Sequence, residues 1–371
     1  MRELVNQAVF GTIKKGAQEK IKRLARRAGI QLSSTQKLYE KIAKDGGKGF
    51  TVPAFNIRSL TFDAARALFR AVKREKAGAF IVELAKSEMD YTGQSPAEYT
   101  SSVLAAGVEE KFKGVLFFQG DHFQVDPKKY FSKMQREKEL KELEGLIKKS
   151  IRAGFYNIDI DCSSLSLEEN FSQTARFTNF IRRCQPEGLT VSIGGEVGEI
   201  GGENTTIEEL QEFIEGYHQQ LRVKRAFGPR PAPIIKVAVQ TGTSHGKAGK
   251  MDFQLLKLLS ARAREYGLAG VVQHGASTLA EEEFKKFPEA GALEIHLATE
   301  FQNIILQSPY FPKELKEKVT KSLLGKFKKE IWSMPQKNID KICQELEEKF
   351  IFFFKELNVS GTTDLIKKIY P

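Results

Sequence analysis

The chain has 371 residues, a length typical of two domains or of one large domain. Hydrophobic residues at 41% and charged residues at 28% exclude collagen-like and disordered classes, and three cysteines are too few for a disulfide framework. The 58 basic and 47 acidic residues give a net charge of +11, which on its own would suit nucleic acid, an anionic membrane or a small acidic substrate.

The chain alternates between two kinds of segment after a basic start. Residues 1–40 mix short apolar pairs with basic residues and predict helix. From Gly49 onward, short apolar runs alternate with amphipathic stretches, and the nearly continuous hydrophobicity of the runs is typical of a parallel sheet covered by helices. The predicted strands lie at 50–56, 79–85, 115–122, 156–162, 190–197, 234–241, 270–274 and 292–297.

Eight strand-plus-helix units in about 250 residues predict an α/β fold of the (β/α)8 type, a TIM barrel, with additional N- and C-terminal helical segments. We expect an N-terminal helical extension over 1–40, a catalytic barrel over 41–308 and a C-terminal helical extension over 309–371.

Histidines lie at the predicted strand ends, where the chemistry of such barrels is located. Four of the five histidines are found there: His122, His245, His274 and His296. Imidazole is the commonest zinc ligand, and catalytic zinc takes three protein ligands and keeps one position open. We therefore predict a zinc site at His122, His245 and His274, with Glu196 beside them or as an alternative oxygen ligand.

Glycine-containing turns follow two of these histidines. Gly246 comes directly after His245, and Gly275 and Ser277 follow His274. Backbone N–H groups at such turns, together with a helix dipole, bind anions such as phosphate. The turns therefore indicate a phosphorylated substrate held across the mouth of the barrel.

Several short motifs, in this order, resemble those of the class II (zinc-dependent) fructose- and tagatose-bisphosphate aldolases, over about residues 50–305. They are Asp121-His122, Ile160-Asp161-Cys162-Ser163, Glu196-Val197-Gly198, Gly201-Gly202-Glu203, Gly242-Thr243-Ser244-His245-Gly246 and His274-Gly275-Ala276-Ser277. The resemblance implies a lyase of glycolysis or related carbohydrate metabolism. It would reversibly cleave a ketose 1,6-bisphosphate to dihydroxyacetone phosphate and an aldehyde such as glyceraldehyde 3-phosphate, with Zn²⁺ as cofactor.

The resemblance also implies individual roles. Asp121 would be the acid/base that handles the hydroxyl proton of the aldehyde fragment, and Asp161 would orient the metal side of the site. Asn56 matches an asparagine that contacts substrate, and Glu203, in a loop that is mobile in the family, would bring an acidic group to it. The phosphate of the dihydroxyacetone-phosphate half would be held by Gly246, Gly275 and Ser277.

Asp121 and His122 are adjacent, and regular alternation along a strand would point their side chains to opposite faces. Both can reach the mouth of the barrel only if the strand bends or bulges at its end. We therefore expect such an irregularity at this point of the third predicted strand.

The sequence departs from the family pattern at two strand ends. The usual Asn-x-Asp-Thr of the eighth strand reads His296-Leu297-Ala298-Thr299, so Thr299 remains for a phosphate while the contacts to substrate hydroxyls must differ. The usual Gln-x-Ser of the second strand reads Glu83-Leu84-Ala85, which removes a hydroxyl near the second phosphate. Lys86 could substitute as a point charge.

Three alternatives stay open. Glu83-Leu84-Ala85 and segment 91–96 are similar to the non-catalytic auxiliary subunit of tagatose-bisphosphate aldolase, but His245 and His274 in aldolase context favour an active enzyme. A metal-dependent hydrolase could use the same residues to activate water, although it would not need paired phosphate turns. The basic ends would suit nucleic acid, but no recognised motif accompanies them.

We expect a sugar-phosphate substrate and, as the resemblance implies, a homo-oligomer, either a dimer or a tetramer. No apolar run reaches the ~18 residues of a membrane span and the start lacks a signal pattern, so we expect a cytoplasmic protein without nucleic-acid or membrane partners. The sequence leaves open whether a monovalent cation assists the zinc.

Overall fold

The computed structural model describes residues 1–46, 49–198, 202–223, 232–242 and 250–371. Its strands are Ile30–Ser33 (β1), Val52–Asn56 (β2), Ile81–Ala85 (β3), Gly114–Gln124 (β4), Asn157–Asp161 (β5), Ser192–Val197 (β6), Lys236–Val239 (β7), Gly270–Gln273 (β8) and Glu294–Leu297 (β9).

Its helices are Arg2–Phe10 (α1), Lys14–Arg27 (α2), Gln36–Lys44 (α3), Thr61–Glu75 (α4), Lys86–Thr92 (α5), Pro96–Glu109 (α6), Pro127–Tyr130 (α7), Arg136–Ala153 (α8), Leu167–Cys184 (α9), Ile207–Val223 (α10), Phe253–Glu265 (α11), Lys286–Ala290 (α12), Thr299–Gln307 (α13), Lys313–Lys316 (α14), Lys328–Trp332 (α15), Gln336–Glu356 (α16) and Thr363–Ile369 (α17). Short 3-10 helices cover Ala276–Thr278, Glu281–Glu283 and Lys321–Leu323.

The strands alternate with helices as the sequence predicts. Each of the eight predicted strand segments contains one strand, β2 to β9, and helical segments precede and follow this alternating part. The predicted fold class, a (β/α)8 barrel with additional N- and C-terminal helical segments, is therefore confirmed. None of the helices that the structure describes has both the length and the apolar character needed to cross a membrane.

The N-terminal segment contains one strand that the sequence did not predict. Residues 30–33 form β1 rather than helix, and they pair in parallel with the first half of β4, from Ile30 opposite Gly114 to Ser33 opposite Phe117. Four residues are too few to show a strand period of their own. The open hydrogen-bonding edge of β4 gives this segment its conformation, which is how tertiary context overrides local preference.

The chain divides into two compact units. The first comprises Met1–Ser33, Pro53–Phe118 and Leu297–Pro371, and its strands follow the order β1-β4-β3-β2. The second comprises Ser34–Val52 and Gln119–His296. In it the last residues of β4 pair with β5, and the order continues through β6, β7, β8 and β9, with every neighbouring pair parallel.

Phenylalanines form much of the core of the first unit. Phe55 of β2 lies 5.0 Å from Phe350 and 5.5 Å from Phe354, measured between ring centroids, and both of those rings come from α16. Phe301 of α13 stacks on Phe350 at 4.5 Å. Edge-to-face pairs of this kind contribute about 0.5–1.5 kcal/mol each beyond the area that they bury. The phenylalanine-rich stretch 350–354 is therefore core.

The strands of the second unit are buried on both faces, since every residue of β5 to β9 that belongs to this unit is buried. Local signals set the helices between them. Ser166, for example, caps α9 by accepting a hydrogen bond from the backbone N–H of Glu169, whose carboxylate accepts one from the Ser166 hydroxyl. The parallel strands bring their carboxyl ends to one edge, and the polar residues lie there.

Candidate active site

Strand β4 is irregular where the sequence requires it to be. Gly120 pairs with Ile158 and Phe123 with Ile160, so two residues of β4, Asp121 and His122, lie opposite one residue of β5. His122 has a φ of 41°, a left-handed conformation that is uncommon outside glycine. This bulge rotates one side chain relative to the strand alternation, and His122 Nε2 lies 3.9 Å from Asp121 Oδ1.

Asp121, His122 and His274 form a compact group at the ends of β4 and β8. The ring centroids of His122 and His274 are 4.3 Å apart, and His274 Nδ1 is 4.0 Å from Asp121 Oδ1. One ligand atom from each of the three residues lies within 4.8 Å of the others. Two imidazoles and a carboxylate are donors that zinc prefers, and the residues therefore fit a zinc ion. His245 and Gly246 lie outside the described residues.

Two carboxylates fix the ring of His122. Its Nδ1 lies 3.0 Å from Asp161 Oδ2 and 3.1 Å from Glu196 Oε2, so Nδ1 carries the proton and Nε2 faces Asp121. Metal-binding histidines commonly donate their other N–H to a carboxylate in this way, which sets the tautomer. Ser163 holds Asp161 in turn, through its backbone N–H at 3.0 Å and its hydroxyl at 2.7 Å.

The charges of these residues affect one another. Burial and the negative charge of Asp161 raise the pKa of Glu196 to about 7, although His122 opposes the shift. Burial opposes the ionisation of Asp161, but its hydrogen bonds to His122 and Ser163 outweigh burial and lower its pKa. Burial likewise opposes the ionisation of Asp121, yet His122 and His296 hold its pKa well below the usual value.

His296 is part of this cluster, although the sequence analysis gave it no role. Its ring centroid lies 4.1 Å from that of His274, and its Nδ1 is 3.2 Å from Asp121 Oδ1. Its Nε2 is 2.7 Å from Glu294 Oε1. The signal was present in the sequence, because His296 is the fourth histidine at a strand end.

A buried polar network continues below His296. Lys236 Nζ donates to Glu294 Oε1 at 2.6 Å, to Asp159 Oδ2 at 3.0 Å and to Gln119 Oε1 at 2.7 Å. The Tyr39 hydroxyl donates to the other oxygen of Glu294.

The sequence analysis missed this network. A usable signal was the strand period of two, since Asp159 lies two residues before Asp161, and Glu294 two before His296, on the same faces.

The network also shifts pKa values. Burial and the charge of Glu294 raise the pKa of Asp159 to about 6, against the opposing effect of Lys236. Burial opposes the ionisation of Glu294, but Lys236 and His296 lower its pKa to about 2. Burial also disfavours the ammonium form of Lys236, yet the two carboxylates raise its pKa.

The remaining predicted site residues lie in different places. In the second unit, Gly275 has a φ of 69° and precedes the 3-10 helix that contains the buried Ser277, while Glu203 is exposed. In the first unit, buried Asn56 donates to Glu88 Oε2 at 2.5 Å, and half-buried Lys86 and Thr299 begin α5 and α13.

Comparison with known proteins agrees with this geometry. The family model described as fructose-bisphosphate aldolase class-II matches residues 34–358.

Three solved structures are similar to the chain. A putative fructose-1,6-biphosphate aldolase from Coccidioides immitis has a TM-score of 0.60 and 19% identity, covering 88% of this chain and 97% of that one. The YdjI aldolase from Escherichia coli K12 has a TM-score of 0.60 and 16% identity, covering 89% and 99%. A fructose-bisphosphate aldolase from Campylobacter jejuni has a TM-score of 0.58 and 18% identity, covering 90% and 97%.

At these identities the solved structures support the fold, and the family model supports membership. The chain belongs to the class II fructose-bisphosphate aldolase family and is an aldolase, a carbon–carbon lyase.

Proposed function

We propose that the protein is a zinc-dependent aldolase that reversibly cleaves a ketose 1,6-bisphosphate, fructose- or tagatose-bisphosphate, to dihydroxyacetone phosphate and an aldehyde such as glyceraldehyde 3-phosphate. The observation that carries this proposal is the bulge of β4, which brings the carboxylate of Asp121 beside the imidazoles of His122 and His274.

The zinc ion would be held by His122, His274 and His245, with Glu196 beside them or as an alternative ligand. Asp161 and Glu196 contact Nδ1 of His122, an arrangement that presents Nε2 as the ligand atom. When bound, the ion supplies a Lewis acid that polarises the substrate carbonyl.

Asp121 would act as the base in cleavage and as the acid in the reverse reaction. Its lowered pKa keeps the carboxylate ionised at neutral pH, so that it can accept a proton. It takes the proton of the hydroxyl on the carbon that becomes the aldehyde. The carbon–carbon bond then breaks, and its electron pair moves toward the ketone carbonyl. General-base assistance of this kind contributes about 10²–10⁴-fold in rate.

The substrate phosphates would be bound at two places. Backbone N–H groups at Gly275 and Gly246, with the Ser277 hydroxyl, would hold the phosphate of the dihydroxyacetone-phosphate half. Thr299 would add a hydroxyl, and Lys86 would supply the charge for the second phosphate.

Two further contacts to substrate are proposed. Asn56 would contact substrate hydroxyls, and Glu203 would bring an acidic group to the substrate from its exposed position. The family resemblance further suggests a cytoplasmic homo-oligomer, a dimer or a tetramer, that acts in carbohydrate metabolism. The proposed organisation has extensions over 1–40 and 309–371 on either side of a barrel over 41–308.

The test is product analysis on purified protein with fructose and tagatose 1,6-bisphosphate. We expect about one zinc per chain and release of triose phosphates, measured by coupled NADH oxidation. His245→Ala should lose both metal and activity. Asp121→Asn should keep the metal and lose about 10²–10⁴-fold in kcat, while Asp45→Asn, at an exposed carboxylate, serves as the matched control.

Two results would reject the proposal. Release of inorganic phosphate without triose phosphates would instead support a metal-dependent hydrolase. Absence of any turnover by zinc-loaded protein on both sugars would support a non-catalytic role, such as that of an auxiliary subunit.

A further inference from the structure

His296 lies between two carboxylates. Its Nδ1 is 3.2 Å from Asp121 Oδ1, and its Nε2 is 2.7 Å from Glu294 Oε1. The ring is buried and packs on His274 with centroids 4.1 Å apart at an angle of 46°. Three contacts therefore determine where the ring of His296 stands.

The short distances also determine its protons. An unprotonated Nε2 would place two lone pairs against each other at 2.7 Å from Glu294 Oε1, so this nitrogen must donate. Asp121 offers only acceptor oxygens when ionised, and a favourable contact with Nδ1 therefore requires a second N–H. His296 thus presents one donor to each carboxylate.

Glu294 is held in place by residues on three other elements. Lys236 of β7 and Gln119 of β4 donate to Oε1 at 2.6 and 2.8 Å, and Tyr39 of α3 donates to Oε2. Lys236 also donates to the amide oxygen of Gln119 at 2.7 Å, which turns the NH2 group of Gln119 toward Glu294. The carboxylate of Glu294 is therefore a fixed anchor for His296.

We propose that His296 is a positioning residue of the aldolase reaction, which orients the carboxylate of Asp121 through its Nδ1–H while Glu294 holds its Nε2–H. The inference rests on the proposed function, because it gives Asp121 the role of acid and base. Fixing the orientation of a general base matters for rate, since a small misplacement of a reacting group costs up to about 10²-fold.

Two substitutions separate the nitrogens of His296. The side-chain amide of asparagine reaches the place of Nδ1, and that of glutamine reaches the place of Nε2. We expect His296→Ala to lower kcat by about 10–100-fold while KM and zinc content stay within about twofold of the parent protein. His296→Asn should recover kcat to within about threefold, whereas His296→Gln should resemble the alanine variant.

A double-mutant cycle tests whether His296 acts through Asp121. In an Asp121→Asn background, the change His296→Ala should lower the residual kcat by less than about twofold, because coupled residues are not additive. Thermal unfolding and zinc content are measured for every variant. If the alanine variant does not fold, the comparison of asparagine with glutamine carries the test.

Three outcomes would overturn the inference: equal kcat in the asparagine and glutamine variants, recovery by glutamine alone, or full additivity with Asp121→Asn. These differ from failure of the proposed function, in which the parent protein itself releases no triose phosphate.

Discussion

Lys236 Nζ lies 2.6 Å from Glu294 Oε1, and both side chains are completely buried. Asp159 Oδ2 accepts from the same ammonium group at 3.0 Å. One buried cation thus compensates two buried carboxylates in the second unit, and its loss would leave both without a counter-charge.

We predict that Lys236→Met destabilises the protein by about 3–5 kcal/mol, the range measured when one partner of a buried ion pair is removed. Urea unfolding followed by circular dichroism measures the change. Lys257→Met, at an exposed position of α11, is the matched control and should stay within about 0.5 kcal/mol of the parent protein. Equal stability of the two variants would contradict a structural role for the buried ammonium group.

Asp159 makes stability depend on pH. Its pKa rises from 3.8 in the unfolded chain to about 6 in the fold, so the folded state binds the proton more tightly. The stability from this group is complete below pH 3.8 and is lost as the pH rises through about 6. In Asp159→Asn, the slope of unfolding free energy against pH between about 4 and 6 should become more positive.

Urea titrations at several pH values measure that slope. Asp364→Asn, at a side chain that is 85% exposed, should reproduce the slope of the parent protein. An unchanged slope in Asp159→Asn would show that this carboxyl is not the titrating group.

Gly120 has no room for a side chain at the start of the bulge. A Cβ there would lie 2.5 Å from two ring atoms of Phe123, which is fully buried. Gly120→Ala should therefore cost about 1–3 kcal/mol and disturb the bulge that places Asp121 and His122. Metal content and kcat should fall together.

The control for this substitution is another glycine. Nothing lies within 4 Å of a Cβ at Gly145 in the interior of α8, and Gly145→Ala should stabilise the protein by up to about 1 kcal/mol through higher helix propensity. If Gly120→Ala kept full metal binding and activity, the bulge would not depend on this glycine.

Asp161 should control metal affinity through His122. We predict that Asp161→Asn weakens zinc binding by about 10–100-fold, as is typical when a carboxylate partner of a ligand histidine is lost. Competition with a chromogenic chelator measures the affinity. Glu187→Gln, at an exposed carboxylate, should leave it unchanged, and equal affinities in the two variants would argue that Asp161 does not orient His122.

Patterns along the chain predicted the strands because burial on both faces produces runs of apolar residues that are visible in one dimension. Strand β1 escaped this reasoning, since the four residues Ile30–Ser33 become a strand only through their pairing with β4. The same limit applies wherever a partner, rather than the local pattern, decides the conformation.

The candidate site was predictable to the extent that it follows the rule of strand ends. That rule brought Asp121, His122 and His274 together, and alternation along a strand required the bulge. The network of Lys236 was not predicted, because a lysine in an apolar run shows no partner until the strands that carry Asp159 and Glu294 are folded beside it.

The rings of Phe350 and Phe354 have a practical meaning for anyone who redesigns this enzyme. They cover Phe55, whose neighbour in the chain is Asn56, the residue proposed to meet the substrate. An engineer who trims the protein back to its alternating strands and helices would strip the support from beneath that asparagine. Shortening the C-terminal part is thus a change to the catalyst itself, and libraries intended to alter sugar preference should include these phenylalanines.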